Sequence, residues 1–228
     1  MTRSDDTEQP LGPELPGWSP RPRPERIELQ GRYVDLVPLS SAHFAELFAA
    51  VGGEERGRLW TYLPVGPARD LPALWMLLAA WLEREPVTFV IVPKGGRPEG
   101  VVAVINIEEA HGKAEIGFVL YGDALARTRE ATEAVHLLQA HVLDDLAYRR
   151  LEWKCDSLNG PSHRAALRLG FTFEGTFRNH WVVKGRSRDT DWFAITDAAW
   201  PAIRARHEAW LAPENFDADG RQASALDR

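Results

Sequence analysis

The chain contains a single cysteine, Cys155, and no long apolar run. One cysteine excludes an internal disulfide framework and most cysteine-based metal sites, so we expect Cys155 to be a small core residue. The longest apolar stretch, residues 71–82, contains a proline and is shorter than the roughly 20 residues that cross a bilayer, so no membrane contact is expected. Residues 1–26 lack the apolar block of a secretory signal, which makes the cytoplasm the default location.

A surplus of positive charge is also missing. The 228 residues carry 27 Lys and Arg against 33 Asp and Glu, a formal net charge of -6. Because phosphate contacts need a basic surface, we do not expect nucleic acid as a partner. The histidines have neither metal-ligand spacing nor a cysteine partner, which argues against a metal site. Hydrophobic residues make up 44% of the chain, enough to bury the core of a globular domain.

The apolar pattern predicts an alternation of strands and helices in one domain, residues 27–211. A Pro-rich extension, residues 1–26, precedes this domain, and a polar tail, residues 212–228, follows it. Apolar residues at every second position mark strands, and apolar residues at helical spacing mark helices. The predicted strands cover residues 32–39, 87–93, 100–107, 113–120, 151–156, 171–183 and 188–195. The predicted helices run from a cap at Ser40 or Ser41 to residue 51, and over 73–85, 129–146 and 162–169.

Two arginines stand at the start of the longest predicted helix. Arg127 and Arg129 lie where the free N–H groups and the helix dipole already disfavour cations, so an anion is expected to join them. The backbone N–H groups of residues 128–132 could hold a pyrophosphate there. Alternatively, the arginines are solvated or paired with Glu130 and Glu133. The residues alone leave both interpretations open.

Four segments between residues 114 and 178 follow one another in an informative order. They read Ala-Glu-Ile-Gly-Phe-Val-Leu from 114, Arg-Thr-Arg-Glu-Ala-Thr-Glu-Ala from 127, Asn-Gly-Pro-Ser from 159 and Leu-Gly-Phe-Thr-Phe-Glu-Gly from 169. This order resembles the Gcn5-related N-acetyltransferase (GNAT) superfamily, and within it the branch that acetylates ribosomal-protein N-termini. The resemblance implies a single-domain α/β fold, with a mixed, twisted sheet of about seven strands and helices on both faces. It also implies acetyl transfer from acetyl-CoA to an amine.

The resemblance assigns the cosubstrate site to two elements. The strand at 118–120 would pair with the pantetheine arm of acetyl-CoA, and the turn into the long helix would hold the pyrophosphate. Of the three signature positions of that turn, Ala126, Arg129 and Ala131, only Ala131 matches the family. Arg129 replaces a glycine and is expected to hold the phosphates by its side chain. The implied acetyl-CoA contacts are Phe118, Val119, Leu120, Arg127, Thr128, Arg129, Glu130, Ala131, Thr132, Asn159 and Ser162.

Acetyl transfer needs a base for the amine, a donor for the oxyanion and a proton for the thiolate. Glu115 is the first candidate for the base, and a strand N–H near Phe118 is the candidate donor. In the ribosomal-protein branch a serine acts at the sulfur, which assigns that role to Ser162. Glu108, Glu109 and His111 are alternative bases. Each carboxylate could instead be a solvated strand-end group, and Asn159 and Ser162 could be helix-capping residues.

The acceptor is expected to be a primary amine on a protein N-terminus or a small molecule. Trp60 and Tyr62 lie where the resemblance places the acceptor wall. No residue stands out as a covalent carrier, so direct attack in a ternary complex is expected. A non-catalytic CoA-binding module that acts through partner contacts is the alternative, and an unrelated α/β enzyme for another phosphorylated ligand is a third class. The sequence leaves a homodimer open.

Overall fold

The computed structural model describes residues 3–4, 9–82 and 86–226. Its strands are β1 (Arg3–Ser4), β2 (Pro10–Leu11), β3 (Leu29–Gln30), β4 (Val34–Pro38), β5 (Val87–Pro93), β6 (Gly100–Glu108), β7 (Lys113–Tyr121), β8 (Arg150–Asp156), β9 (Thr172–Val183) and β10 (Arg186–Thr196). β1 and β2 form a separate pair, and the others form one sheet in the order β3-β4-β5-β6-β7-β8-β10-β9. In this sheet β7 and β8 are parallel, and the other neighbours are antiparallel.

Helices pack on both faces of this sheet. They are α1 (Phe44–Val51), α2 (Leu71–Ala79), α3 (Arg129–Ala140), α4 (Gly160–Arg168) and α5 (Trp200–Trp210). The core under α3, α4 and α5 contains Ile116, Trp153 and Phe193, whereas the core under α1 and α2 contains Val101 and Leu120. Burial of each such side chain stabilises the fold by about 1.5–3 kcal/mol. The predicted single-domain α/β fold is confirmed, with eight strands in the sheet instead of about seven.

The helices differ from the prediction at two places. The sequence pattern does not predict α5, although its buried residues Trp200, His207 and Trp210 recur at helical spacing. A buried histidine interrupts the apolar stripe by which an amphipathic helix is normally detected. The predicted helix over 129–146 is α-helical only to Ala140, and it continues as one π-helical turn, His141–Asp145.

The segments before and after the domain lie against it. Trp18 donates its indole N–H to Ala110 O at 3.0 Å, which places the N-terminal segment on the turn between β6 and β7. At the other end, the Tyr33 hydroxyl donates to Leu211 O at 3.0 Å. Parts of the predicted extension, of the predicted helix over 73–85 and of the predicted tail, namely residues 1–2, 5–8, 83–85 and 227–228, lie outside the described residues. In the described ranges, no helix is long and apolar enough to span a membrane.

Candidate active site

The parallel strands β7 and β8 separate part-way along the sheet. They pair from Lys113 opposite Arg150 to Ile116 opposite Trp153. β7 then continues to Tyr121, and β8 continues to Asp156 while it stays paired with β10. Past Ile116, the edge of β7 that faces β8 has no strand partner among the described residues. This split leaves backbone donors and acceptors of β7 available to an extended ligand.

A β-bulge lies on β7 just inside the split. Val101 pairs with Leu120 and Ala103 pairs with Gly117, so two residues, Phe118 and Val119, stand opposite a single residue of β6. Phe118 has a φ of 49°. Because a bulge leaves its extra residue outside the regular ladder, a backbone N–H group of this segment could turn towards a ligand in the split. The predicted donor near Phe118 and the predicted pantetheine edge at Phe118, Val119 and Leu120 therefore lie at one place.

Gly117, next to this bulge, lies under the Ile105 side chain. A Cβ at this position would lie 2.3 Å from Ile105 Cδ1, so a larger residue here would force the Ile105 side chain to move.

Glu115 lies on β7 immediately before the split and is only 5% exposed. Its Oε2 accepts hydrogen bonds from Asn106 Nδ2 at 2.7 Å and from Lys154 Nζ at 2.6 Å. Lys154 Nζ also lies 2.8 Å from Glu152 Oε2. A buried carboxylate at the mouth of a split strand pair is a suitable proton acceptor, because its partners hold it in one position.

Sequence reasoning identified Glu115 but missed its partners. In β8, charged residues alternate with the buried Leu151, Trp153 and Cys155, and Lys154 is one of these charged residues. This alternation places Lys154 on the same face as Glu152, but it does not indicate a contact with Glu115. Asn106 gives no sequence signal either, because it depends on a second bulge that brings its side chain over β7; its φ is 48°.

The alternative bases lie away from the split. Glu108 pairs with Lys113 Nζ at 2.6 Å, and Glu109 pairs with Arg23 Nη1 at 3.0 Å. His111 is exposed on the short turn before β7. All three stand near the first residue of β7, whereas the split opens towards its last residue, so the structure does not bring them to the candidate site.

Asn159 and Ser162 start α4, which follows β8 directly. Asn159 Oδ1 accepts a hydrogen bond from the Ser162 N–H at 3.2 Å, so Asn159 is the N-cap of this helix. The Ser162 hydroxyl is not a cap: it accepts a hydrogen bond from Trp153 Nε1 at 3.0 Å. It also contacts the Cys155 thiol, whose pKa burial raises to about 11 against the opposing effect of this hydrogen bond. Ser162 is thus held beside β8, where that strand leaves β7.

At the N-terminus of α3, Thr128 is the cap. Its Oγ1 accepts from the Ala131 N–H at 3.1 Å, so this donor is already used, while the N–H groups of Arg129 and Glu130 have no acceptor in the first helical turn. The Arg129 guanidinium stacks on the Tyr33 ring at 4.2 Å and bonds Glu130 Oε1 at 3.1 Å. Arg127 is exposed and has a φ of 68°. The predicted pairing with Glu130 is therefore present for Arg129.

Glu133 does not pair with either arginine. Its buried carboxylate accepts backbone N–H groups of Arg32 at 3.0 Å, Tyr33 at 2.6 Å and Val34 at 2.9 Å. These bonds fix the turn between β3 and β4 against α3. Thr132 is also buried, and its hydroxyl accepts from Arg168 Nη1 at 3.0 Å.

A cavity of about 320 Å³ adjoins the start of α3. Its lining includes Thr128 and Glu130, and also Arg97 from the turn between β5 and β6. Sequence reasoning missed Arg97, because the surrounding Gly and Pro residues indicated only turn chemistry. Arg97 shares this lining with two carboxylates, Glu99 and Glu130. A phosphate group would therefore depend on the free N–H groups of the first helical turn, with Arg97 and the adjacent, exposed Arg127 as the cations at this end of α3.

The two predicted acceptor contacts, Trp60 and Tyr62, differ in their exposure to solvent. Trp60 is fully buried, and its indole N–H donates to Val51 O at 2.8 Å, so its ring is part of the core. Tyr62 is exposed, and its hydroxyl donates to Leu158 O at 3.0 Å. Of this pair, only Tyr62 can meet a ligand. In residues 9–82 and 86–226, no group of three or more His, Cys, Asp or Glu side chains could hold a metal ion.

The split strands, the bulge and the helix N-terminus occur in a chain whose residues 34–172 match the model of the acetyltransferase (GNAT) domain. The chain belongs to this GNAT family. It is 30% identical to an uncharacterized N-acetyltransferase p20 from Bacillus licheniformis, over 59% of this chain and 74% of the relative. It is 44% identical to a GCN5-related N-acetyltransferase from Brucella melitensis, with a TM-score of 0.88 over 93% of this chain and 97% of the other.

A more distant solved structure shares the GNAT fold alone. It is a spermidine N-acetyltransferase from Vibrio cholerae in complex with CoA and spermine, 15% identical, with a TM-score of 0.61 over 74% of this chain and 98% of the other. Membership of the family supports acetyl-CoA-dependent acetyl transfer in general terms, and it leaves the acceptor open.

Proposed function

We propose that this GNAT protein transfers the acetyl group of acetyl-CoA to a primary amine by direct attack in a ternary complex. The observation that carries the proposal is the buried Glu115 carboxylate at the mouth of the β7–β8 split, next to the bulge at Phe118. The amine would be carried by a small molecule or by a protein N-terminus. The Asn159 and Ser162 pair at the start of α4 supports a place in the ribosomal-protein branch.

Each proposed residue has one task in the transfer. Glu115 would accept, directly or through water, the proton that the amine loses as its nitrogen bonds the thioester carbon. The N–H groups at Phe118 would donate to the carbonyl oxygen as it gains negative charge. Ser162 would orient or protonate the sulfur as the C–S bond breaks.

A covalent acetyl-enzyme is disfavoured by the only thiol of the chain. Cys155 is buried and packs in the core, and burial raises its pKa to about 11. The thiolate, which is the nucleophilic form, is therefore rare at neutral pH. This supports a single transfer step with both substrates bound.

The cosubstrate would lie along the split and end at α3. The edge of β7 at Phe118, Val119 and Leu120 would pair with the pantetheine amides. The N–H groups of Arg129 and Glu130, together with Arg127, would meet the pyrophosphate. Asn159 would bond the pantetheine region from the start of α4. Thr128, Ala131 and Thr132 would shape the turn through the cap and the buried hydroxyl.

The proposal is tested by binding and by turnover. A ligand at about 100 times its dissociation constant stabilises a protein by about 2.7 kcal/mol, or roughly 5–10 °C for a domain of this size. We expect such a shift with acetyl-CoA and CoA, and not with ATP or NAD. Release of free thiol from acetyl-CoA with a panel of primary amines then measures transfer.

The variant Glu115→Gln should reduce kcat by about 100-fold or more and leave the dissociation constant of acetyl-CoA nearly unchanged. Glu108→Gln is the matched control on the neighbouring strand, because Glu108 lies away from the split, and it should retain activity. Equal activity of the two variants would refute Glu115 as the base. Binding of acetyl-CoA without thiol release across the panel would instead favour a non-catalytic CoA-binding module.

A further inference from the structure

Aromatic side chains cluster on a part of the sheet that α1 and α2 leave uncovered. We call Phe177, His180, Trp181 and Trp192 the aromatic platform. The Phe177 ring lies 4.7 Å from the Trp192 ring and 5.4 Å from the His180 ring, between centroids. Trp192 alternates along β10 with Phe193, which belongs to the core under α3 and α4, so the platform is on the opposite face. Phe177 and Trp181 are 52% and 59% exposed.

The platform begins beside the candidate base. Lys154 Nζ lies 4.0 Å from the centroid of the Trp192 ring and 2.6 Å from Glu115 Oε2. One ammonium group therefore touches both the platform and the carboxylate. An acceptor that delivers its amine proton to Glu115 would have the rest of its body next to Trp192 and Phe177.

The carboxylates near this platform are already paired. Lys154 bridges Glu115 and Glu152, and Arg150 bridges Glu152 and Glu174 at 2.7 and 2.9 Å. Three carboxylates against two cations leave one negative charge in this chain of ion pairs. A polyamine, which carries two or more separated ammonium groups, would find only one unmatched negative charge here.

The far end of the platform is basic. Residues 178–189 of the β9–β10 hairpin carry four cations, Arg178, Lys184, Arg186 and Arg188, against one carboxylate, Asp189. A second ammonium group that extended from Glu115 along β9 would approach these cations and be repelled. The charges thus favour one amine at the Glu115 end and a neutral or anionic far end.

The segment that connects α1 and α2 borders the platform. Tyr62, on the connection between α1 and α2, donates to Leu158 O at 3.0 Å, just after β8. On the same connection, Trp60 O accepts from Lys184 Nζ at 2.7 Å, at the tip of the β9–β10 hairpin. These two contacts hold the connection between α1 and α2 against the loop after β8 and against the β9–β10 turn. A platform that has chain along its border offers a small molecule more contacts than a flat surface would.

We propose that the aromatic platform is the acceptor subsite and that it selects a monoamine with a planar aromatic body. This inference rests on the proposed acetyl transfer and specifies its substrate class. The amine would meet Glu115, and the aromatic body would stack on Phe177 and Trp192. Polyamines would be poor acceptors.

The test compares three probes by initial rates of thiol release at saturating acetyl-CoA: tryptamine, 2-cyclohexylethylamine and spermidine. Tryptamine should have a kcat/KM at least tenfold above those of the other two. Phe177→Ala should raise the KM for tryptamine about tenfold, since it removes one stacking partner, and leave kcat nearly unchanged. Phe173→Ala is the matched control, because Phe173 is an exposed Phe on the same strand that packs against Phe193 on the other face.

The outcomes separate this inference from the function on which it rests. Higher kcat/KM for spermidine than for tryptamine would overturn the inference and leave acetyl transfer intact, whereas an absence of thiol release with every amine would count against the transfer itself. Light scattering adds a second readout. A wild-type dimer that Phe177→Ala converts to a monomer, with the KM for tryptamine unchanged, would identify the platform as a self-association face and refute the acceptor subsite.

Discussion

Mild acid should destabilise this protein through the packing of α5 on α3. His207 of α5 is fully buried, and its ring lies 5.4 Å from that of His136 on α3. Burial, followed by the nearby His136, Arg206 and Arg168, lowers the pKa of His207 to about 3. Burial also lowers the pKa of His136, although Glu208 and Asp144 partly oppose this shift.

The direction and size of the effect follow from proton linkage. The folded state keeps His207 neutral, whereas the unfolded state binds a proton below the ordinary histidine pKa of about 6.5. The contribution of His207 is therefore fully present above about pH 6.5 and is lost as the pH falls towards about 3. At pH 5, about 1.5 pH units below the unfolded-state value, the loss is about 2 kcal/mol at about 1.4 kcal/mol per pH unit. That is a large part of a typical stability of 5–15 kcal/mol.

Urea unfolding at pH 7 and at pH 5 measures this loss. His207→Met has a side chain of similar volume that does not titrate, so its free energy of unfolding should fall by about 2 kcal/mol less than that of the wild type. His111→Met is the matched control, because His111 is exposed on a turn and should leave the pH dependence unchanged. If His207→Met and the wild type lose the same free energy between the two pH values, His207 does not stay neutral in the folded state and the reasoning fails.

Three other substitutions, at Glu133, Arg129 and Arg97, test the contacts around the start of α3. Glu133→Ala should lower the free energy of unfolding by about 3 kcal/mol, because three backbone N–H groups lose their acceptor. Glu130→Ala is the control, because Glu130 is partly exposed in the same helical turn, and it should lower the free energy of unfolding by less than 1 kcal/mol. Arg129→Ala should lower Tm by about 2–4 °C through lost stacking on Tyr33. Arg97→Ala should instead weaken acetyl-CoA binding several-fold at low salt and less at high salt, as measured by calorimetry. If Arg129→Ala weakened acetyl-CoA binding more than Arg97→Ala does, Arg129 and not Arg97 would be the side chain that contacts the phosphates.

Much of the fold could be predicted because its strands and helices carry periodic apolar patterns. β5, β6, β7 and β8 lie close to their predicted bounds, and Thr128 caps α3 where the change of pattern indicates a helix start. The short β3 and the helix α5 escape such a pattern. Two residues are too few for a period, and in α5 a buried His207 replaces the expected apolar side chain.

The candidate site was predictable only where one residue type carries the chemistry. Glu115 and Ser162 could be singled out through the family resemblance, Glu115 as a carboxylate on a strand and Ser162 as a hydroxyl at the start of a short helix. The bulges at Asn106 and Phe118 could not, because a bulge is a register shift between two strands and leaves no mark in either sequence alone. The contact between Lys154 and Glu115 likewise joins residues of two parallel strands, which the crossover through α3 separates in sequence.

Arg129 stands where the family signature has a glycine, and contacts with Tyr33 and with the C-terminal tail show how this chain accommodates it. A glycine at the start of α3 would let a phosphate approach the backbone closely, and Arg129 fills that position with a cation. Tyr33 and Phe216 lie 4.2 and 5.2 Å from its guanidinium, and Glu130 accepts its Nε–H, so the protein itself stabilises this charge. The side chain is thereby held against Tyr33 of the turn between β3 and β4 and against Phe216 of the tail. The backbone N–H groups of the first turn can then still face a ligand, because it is the backbone, and not the arginine, that points along the helix axis.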